Sequence, residues 1–453
     1  MAESLFPEAE HLGLLTDLYQ LTMAAGYFVH GLSGQRATFE LWVRRLPECR
    51  NFLVAAGLEQ AVHYLTHLHF GPAEIDYLRQ HPSFGGVPVE WFEHLAQLRF
   101  RGELWAVPEG TVVFPGEPLL RVTADLDVAQ IIETYLITCL SLQTMVASKA
   151  ARCVLAAGGR KLIDFGTRRA HGPQAGMLAA RAAFLAGFQG TSNAEAGRRL
   201  GIPTLGTQAH AWIMAHEEER AAFSNFGQLF ARSSTLLIDT YDTLQGARNV
   251  LASGAPVQAV RLDSGDLAGL SRGVRRIFDE AGRTDVQIVA SGDLNEFKIS
   301  QLLASQAPVD VFGVGTELVT SRDEPTLSTV YKLVEQETEA GPRGRFKLAE
   351  GKKSYPFAKQ VWRQTDEGGG WQRDVVGRAV EDLPGRPLLV PVLRQGELTA
   401  PLPDLTASRE RCLRQLAEMP EELRSLDPAP AYPVQISERL EADAARLVAS
   451  AGL

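Results

Sequence analysis

The sequence lacks the features that mark secreted, membrane-spanning and nucleic-acid-binding proteins. Its 453 residues include only four cysteines, and the formal net charge is −9. No apolar run reaches the ~18 residues that span a bilayer. The N-terminus has neither a basic segment nor a long apolar one, so we expect no secretory signal. Nucleic acids and anionic membranes require a basic face, so we expect neither as a partner.

Several signatures of catalysis and metal binding are also missing. The cysteines form no CxxC pair and have no zinc-site spacing, which fits a reducing cytoplasm. The segment GKKS lacks the first glycine of a Walker A loop, and HEEER lacks the second histidine of a metalloprotease helix. No GxSxG is present. These absences exclude the commonest P-loop, metalloprotease and α/β-hydrolase arrangements.

The N-terminal part mixes helices and strands. The pattern predicts a helix over 16–29 capped by Thr16 or Asp17, a strand over 37–45 and a helix over 57–69. Residues 98–123 consist of short apolar runs separated by Pro-Gly turns, which indicates antiparallel strands. A long helical pattern without Pro or Gly then covers 127–157. We therefore predict an N-terminal α/β domain over 1–123.

A different pattern follows, in which short apolar runs alternate with helix-length segments. This βαβα order is typical of a parallel sheet or barrel. The runs are 161–166, 203–207, 235–242, 258–266, 287–293, 310–316 and 329–334. We predict an irregular (β/α) barrel over 124–335. Residues 336–453 are predicted to be a C-terminal α/β and helical region that packs with the N-terminal domain, with strands at 358–363 and 387–394 and helices at 404–424 and 435–450.

Polar residues gather at the carboxyl ends of these runs, where (β/α) folds place their active sites. Paired arginines suit a pyrophosphate or carboxylate, and adjacent glycines with a hydroxyl suit a phosphate. Carboxylates in the same rim suit Mg²⁺ or ribose hydroxyls. The groups are Asp164, Arg168, Arg169, Thr207, His210, Asp239, Asp242, Arg261, Asp263, Asp266, Gly292, Asp293, Gly313, Gly315 and Thr316. Together they indicate a phosphorylated sugar substrate. On this pattern alone, His210 is equally well a structural histidine or a phosphoryl-accepting nucleophile.

Several long motifs, in order over nearly the whole chain, give a family resemblance. TDLYQLTMAAGYF, KLIDFGTRRAHGPQAG, FQGTSNAEAGRRLGIPTLGTQAHAW, VRLDSGDL and FGVGTELVT resemble nicotinate phosphoribosyltransferase. The resemblance implies an α/β fold, namely an irregular barrel plus an α/β domain built from both chain ends, in a homodimer. One departure is Pro356-Phe357-Ala358, where the family often has Pro-Gly, and this puts the conformation of the loop in question.

The resemblance implies the joining of nicotinate to phosphoribosyl pyrophosphate, with ATP hydrolysis coupled through a phosphohistidine and Mg²⁺ required. By position, His210 resembles the phosphorylated histidine. Tyr19, Thr207 and Arg261 resemble the nicotinate contacts, with Tyr19 reaching across a dimer. Thr316 resembles a contact to the phosphoribosyl phosphate. Motifs lining the same site contain Arg168, Arg169, Asp263 and Gly292, while Gly313 and Gly315 belong to the predicted anion nest. No metal ligands are assigned.

Rival interpretations are a nicotinamide phosphoribosyltransferase, a non-catalytic sugar-phosphate-binding module and a quinolinate-type decarboxylating transferase. The nicotinamide enzymes have an acidic residue at the position of Ser192, where a carboxylate would repel nicotinate. Neutral Ser192 together with Arg261 therefore favours the acid. A pure binding module has no need of a phosphorylatable histidine. A substrate with two carboxylates would need more cationic residues than Arg261.

Overall fold

The computed structural model describes residues 12–348 and 354–450. It contains two compact units: one is formed by both chain ends, up to residue 144 and from residue 326 onward, and the other by residues 145–325. The domain boundaries 1–123, 124–335 and 336–453 stay predictions. No helix among the described residues is long and apolar enough to cross a bilayer.

The N-terminal part contains both helices and strands, as its sequence predicts. Its helices are α1 Leu18–Val29, α2 Leu58–His67, α3 Pro72–Gln80, α4 Val89–Gln97, α5 Leu126–Ile131 and α6 Glu133–Ala156. Its strands are β1 Arg36–Val43, β2 Leu53–Val54, β3 Glu103–Ala106, β4 Val112–Val113 and β5 Pro118–Asp125. The helical pattern of 127–157 is therefore divided between α5 and α6.

The middle of the chain alternates strands and helices. Its strands are β6 Lys161–Asp164, β7 Gly190–Thr191, β8 Thr235–Leu237, β9 Ala259–Leu262, β10 Gln287–Ala290 and β11 Val311–Val314. Its helices are α7 Pro173–Leu185, α8 Ala194–Leu200, α9 His210–Met214, α10 Glu219–Leu229, α11 Thr243–Ser253, α12 Leu267–Glu280, α13 Glu296–Ala304 and α14 Thr316–Val319.

The C-terminal part returns to antiparallel strands and ends in helices. Its strands are β12 Thr329–Thr338, β13 Gly341–Gly344, β14 Lys359–Thr365, β15 Trp371–Arg378, β16 Arg386–Pro387, β17 Val390–Arg394, β18 Glu397–Leu398 and β19 Val434–Ile436. Its helices are α15 Leu405–Glu418 and α16 Glu438–Ser450.

A seven-stranded sheet joins the two chain ends. Its order is β13-β12-β1-β5-β3-β17-β18, with β1 antiparallel to both β12 and β5. Leu41 of β1 is completely buried, and the ring of Phe39 stacks on that of Tyr331 with 5.0 Å between centroids. The α/β domain built from both chain ends is thereby confirmed.

Six parallel strands make the sheet of the middle unit, in the order β7-β6-β11-β10-β9-β8. The first strand, β6, lies beside the last, β11, as it does when a βα series curls into a barrel. No strand among the described residues joins β7 to β8. The irregular barrel predicted from sequence therefore takes the form of an incomplete one.

Two of the seven predicted barrel strands are wrong. Residues 203–207 form no strand, and only Thr204 makes a bridge, to Thr191. Pro203 has no N–H for a ladder, and the edge strand is Gly190–Thr191 instead. The run 329–334 belongs to β12, which pairs antiparallel with β1 in the other unit. Apolar patterning reports burial and does not identify the partner strand.

The structure gives the details of two local features, the N-cap of α1 and the loop that contains Phe357. Asp17 is at the N-cap of α1, but its side chain makes no capping bond and accepts from Thr134 Oγ1 at 2.9 Å. Phe357 has a φ of +69°, a left-handed conformation that glycine adopts without strain. The loop thus keeps a backbone suited to glycine, and the Phe357 ring lies 4.0 Å from the Arg378 guanidinium carbon.

Candidate active site

Arg261 is the centre of a hydrogen-bonded group at the carboxyl edge of the parallel sheet. It is the third residue of β9, and its guanidinium donates from Nε to Ser291 Oγ at 2.7 Å. The two terminal nitrogens donate to Thr207 Oγ1 and Asp263 Oδ1, both at 2.7 Å. A guanidinium has five N–H donors, so these bonds leave two for a ligand.

An aromatic ring adjoins this guanidinium. Phe165 follows β6 directly, and its ring centroid lies 5.4 Å from the guanidinium carbon of Arg261. A Cβ at Gly313 would come within 2.3 Å of the ring, so that position requires glycine. An aromatic face beside two available N–H donors is a suitable arrangement for a flat ring that carries a carboxylate.

Asp263 is held as a carboxylate by its neighbours. Burial alone would raise its pKa, but hydrogen bonds from Ser291 and Arg261, with the charges of Arg261 and His210, lower the pKa below its usual value. The Asp263 backbone N–H and the Ser264 hydroxyl both donate to Asp239 Oδ2, at 2.9 and 2.7 Å. The carboxylate therefore stays ionised at neutral pH and fixes the direction of Arg261.

His210 begins α9 and is half-buried. Its Nδ1 lies 3.1 Å from Thr240 Oγ1, and Thr240 follows β8 by three residues. Thr240 directly follows Asp239, which accepts hydrogen bonds from Asp263 and Ser264, so His210 is anchored to the segment beside the Arg261 group. A half-buried imidazole with one nitrogen anchored has the other available for chemistry.

A second loop at this edge carries Ser192. Buried Asp164 at the end of β6 accepts from Thr191 Oγ1 at 2.7 Å and from the Gly166 N–H at 2.8 Å. Burial raises the pKa of Asp164, and these two bonds partly oppose it. The Ser192 N–H donates to the Asp164 carbonyl at 2.8 Å. These bonds fix the backbone, while the Ser192 side chain is exposed.

The remaining predicted residues of this unit also lie on strand-end segments. Gly292 has a φ of +99°, and a Cβ there would meet the Asp263 carbonyl oxygen at 2.1 Å. Gly315 precedes α14, and Thr316 is the first residue of that helix. Arg168 and Arg169 are exposed on a short 3₁₀ helix that follows β6. Their contacts with a substrate stay predictions.

Tyr19 belongs to the other compact unit. It lies on α1 and is 50% exposed, and burial followed by the charges of Glu133 and Asp17 raises its pKa. Its role as a nicotinate contact stays a prediction.

Three members of the site were not singled out from sequence. Phe165 is inside the KLIDFG run, Ser291 precedes Gly292, and Thr240 lies between Asp239 and Tyr241. The position of Ser291 just after an apolar run was a usable signal. Thr240 and Phe165 gave none, because a hydroxyl or a ring near a strand end is common.

Within residues 12–348 and 354–450, the acidic side chains form no metal site by themselves. No group of three or more His, Cys, Asp or Glu side chains in the described ranges is arranged to hold a metal ion. The Asp239 Oδ1 atom is buried without a hydrogen-bond partner at the sheet edge. Mg²⁺ commonly uses one or two carboxylates together with substrate phosphates. Asp239 and Asp263 fit that pattern.

Comparison with known protein families gives three consecutive matches. Residues 14–141 match the nicotinate phosphoribosyltransferase N-terminal domain, 160–340 match the nicotinate phosphoribosyltransferase family and 377–443 match its C-terminal domain.

Individual relatives are similar over most of their length and most of this chain. Nicotinate phosphoribosyltransferase pncB2 of Mycobacterium tuberculosis is 44% identical, over 97% of this chain and 94% of that protein. The crystal structure of human nicotinic acid phosphoribosyltransferase matches with a TM-score of 0.85 and 31% identity, over 96% and 100% of the two chains. Nicotinate-nucleotide pyrophosphorylase from Pyrococcus furiosus matches with a TM-score of 0.74 and 25% identity, over 92% and 99%.

Proposed function

The chain belongs to the nicotinate phosphoribosyltransferase family, and from this premise we propose that it couples nicotinate mononucleotide synthesis to ATP hydrolysis through His210. The transferase reaction joins nicotinate to phosphoribosyl pyrophosphate and releases pyrophosphate, in NAD biosynthesis. The observation that best supports our assignment of the site is the Arg261 guanidinium, which has two available donors beside the Phe165 ring.

In the proposed site, Arg261 holds the nicotinate carboxylate and Phe165 lies along the pyridine ring. Thr207 orients Arg261 through their 2.7 Å bond and borders the same space.

The Gly315–Thr316 segment and the Gly292 turn contact the phosphoribosyl phosphate, with Gly313 keeping room for the Phe165 ring. Arg168 and Arg169 neutralise the leaving pyrophosphate.

The transfer is substitution at the anomeric carbon of the ribose. The pyridine nitrogen forms the new C–N bond while the C–O bond to pyrophosphate breaks. The pyridine nitrogen carries no proton, so the protein need not supply a base. Its contribution is to orient the substrates and to stabilise the developing charge. Asp239 and Asp263, together with substrate oxygens, would hold Mg²⁺, which would supply charge neutralisation on the pyrophosphate.

His210 links this reaction to ATP. Its available ring nitrogen attacks the γ-phosphorus, the bond to ADP breaks, and the phosphoryl group stays on the imidazole. Water later hydrolyses the phosphohistidine to histidine and phosphate. Thr240 holds Nδ1 at 3.1 Å, and this contact fixes the ring for both steps.

The oligomer and the compartment complete the proposal. We place Tyr19 of one protomer at the site of its partner in a homodimer, because this aromatic ring is half exposed on α1. The reaction takes place in the cytoplasm, where the thiols of the four cysteines would remain reduced.

Preference for the acid over the amide tests the function. We expect nicotinate to give a kcat/KM at least about 100-fold above that of nicotinamide, since the charge-assisted pair with Arg261 contributes about 3 kcal/mol. Initial rates of pyrophosphate release with each substrate measure the ratio. Equal rates with both would contradict the recognition of the nicotinate carboxylate by Arg261.

Ser192 offers a matched pair of variants for the same preference. Ser192→Asp adds a carboxylate that repels nicotinate, so the acid-to-amide ratio should fall about tenfold or more. Ser192→Asn introduces a side chain of nearly the same size as aspartate but without its charge. The acid-to-amide ratio of this variant should stay within about twofold of the ratio for the unmodified enzyme. A similar fall in both variants would indicate shape and not charge as the cause.

A further inference from the structure

Helix α6 carries a lysine that is entirely buried. The Lys149 side chain is only 1% exposed, and its Nζ lies 2.7 Å from Glu296 Oε2 and 2.9 Å from Asp323 Oδ1. A buried ammonium is costly unless it is paired. Lys149 lies in the ASKAAR segment of the sequence, to which the reaction described above assigns no role.

A second cation completes the group. Arg152, three residues further along α6, places its Nε 3.0 Å from Glu296 Oε1. Two cations therefore face two carboxylates. Burial alone would lower the pKa of Lys149, but Glu296 and Asp323 outweigh it and raise the pKa, so the ammonium stays charged.

The two carboxylates come from different strand-end segments. Glu296 is the first residue of α13 and follows the turn of Ser291 and Gly292 after β10. Asp323 follows α14, which begins at Thr316 after β11. One ammonium on a long helix thus ties together the segments after two neighbouring strands of the sheet.

The geometry points to Lys149 as a positioning residue for phosphoribosyl pyrophosphate: it holds the Gly292 turn and the Thr316 segment at the spacing that the sugar phosphate requires. This inference rests on the proposed placement of that phosphate at these two segments. Lys149 itself, being buried, need not touch the substrate. A misplacement of about 1 Å at a binding group can change rates up to ~100-fold.

The chain offers a matched control in its other compact unit. Lys359 is also buried, and its Nζ lies 2.8 Å from Glu40 Oε2. Lys359→Met likewise removes a buried ammonium group, here from a pair with one carboxylate and not two. A purely structural role for Lys149 predicts that the two Met variants behave alike.

The test measures KM for phosphoribosyl pyrophosphate and for nicotinate in the full-length enzyme. We expect Lys149→Met to raise KM for phosphoribosyl pyrophosphate about tenfold and to leave KM for nicotinate within about twofold. Lys359→Met should lower the melting temperature but leave both KM values unchanged. Asp323→Asn, whose side chain is 17% exposed, removes one arm only and should raise the same KM about threefold.

Each outcome decides the inference. An unchanged KM for phosphoribosyl pyrophosphate in Lys149→Met, or an equal rise for both substrates, overturns it. Should Lys149→Met fail to fold, Asp323→Asn decides by the same criterion. Thr316→Val separates the placement of the phosphate from the positioning role of Lys149. If Thr316→Val leaves KM for phosphoribosyl pyrophosphate unchanged, the placement of the phosphate is wrong. If Thr316→Val raises that KM and the Lys149 and Asp323 variants do not, only the positioning role is wrong.

Discussion

Replacing His210 with Asn is expected to abolish ATP hydrolysis and the stimulation of nicotinate mononucleotide formation by ATP, while some uncoupled transfer remains. The asparagine amide retains a polar group near Thr240 but is not a phosphoryl acceptor. With the nucleophile gone, ATPase activity should fall at least about 1,000-fold. Transfer without ATP should continue, because the substitution at the ribose uses Arg261 and the strand-end segments. The measurement is phosphate release and product formation with and without ATP.

His216→Asn is the matched control for that experiment. His216 lies six residues further along, and its Nδ1 contacts the Trp212 carbonyl oxygen at 2.8 Å. It lies outside the proposed site, so ATP coupling should be retained within about twofold. ATP stimulation that persists in His210→Asn would remove His210 from the coupling mechanism. Equal losses in both variants would indicate damage to the α9 segment instead.

Replacing Arg261 with Lys should weaken the binding of nicotinate selectively. Lysine keeps the positive charge but loses the planar fork, which now bonds Ser291, Thr207 and Asp263 together. Losing charge-assisted bonds worth about 1.5–3 kcal/mol predicts a KM for nicotinate about 10- to 100-fold higher. The KM for phosphoribosyl pyrophosphate should change less than about threefold. Steady-state kinetics with each substrate varied in turn measures both.

Arg283 supplies the control for Arg261, since it makes a similar fork to Asp285 with both bonds at 2.9 Å at the surface. Arg283→Lys should leave both KM values unchanged. If Arg261→Lys raises the two KM values equally, Arg261 supports the fold of the strand end and does not recognise the carboxylate.

Site residues could be predicted from the sequence most reliably where a polar or charged side chain stands at the end of a predicted strand. Arg261 and Asp263 follow the pattern of an apolar run ending in polar groups, and the structure brings their side chains to 2.7 Å. Thr207 was predicted to follow a strand that does not form. Arg261 nevertheless donates a hydrogen bond to Thr207, and a single bridge between Thr204 and Thr191 holds this segment beside β7.

Other features could be identified only from the three-dimensional structure. The buried group around Lys149 joins residues up to 174 positions apart, since Lys149 contacts Asp323. No local sequence pattern predicts such a contact. The run 329–334 reads like its predecessors, yet it pairs with β1 nearly 300 residues earlier. Periodicity reports which faces are buried, while long-range pairing depends on shape and register that a single segment does not contain.

Phosphorylation of His210 is the central step of the proposed function, and locating the phosphate after incubation with ATP tests it directly. Wild-type enzyme should carry an acid-labile phosphoryl group on the peptide that contains His210. Addition of nicotinate and phosphoribosyl pyrophosphate should then remove it as nicotinate mononucleotide forms. ATP-stimulated synthesis with no phosphate on that peptide at any stage would contradict ATP coupling through His210.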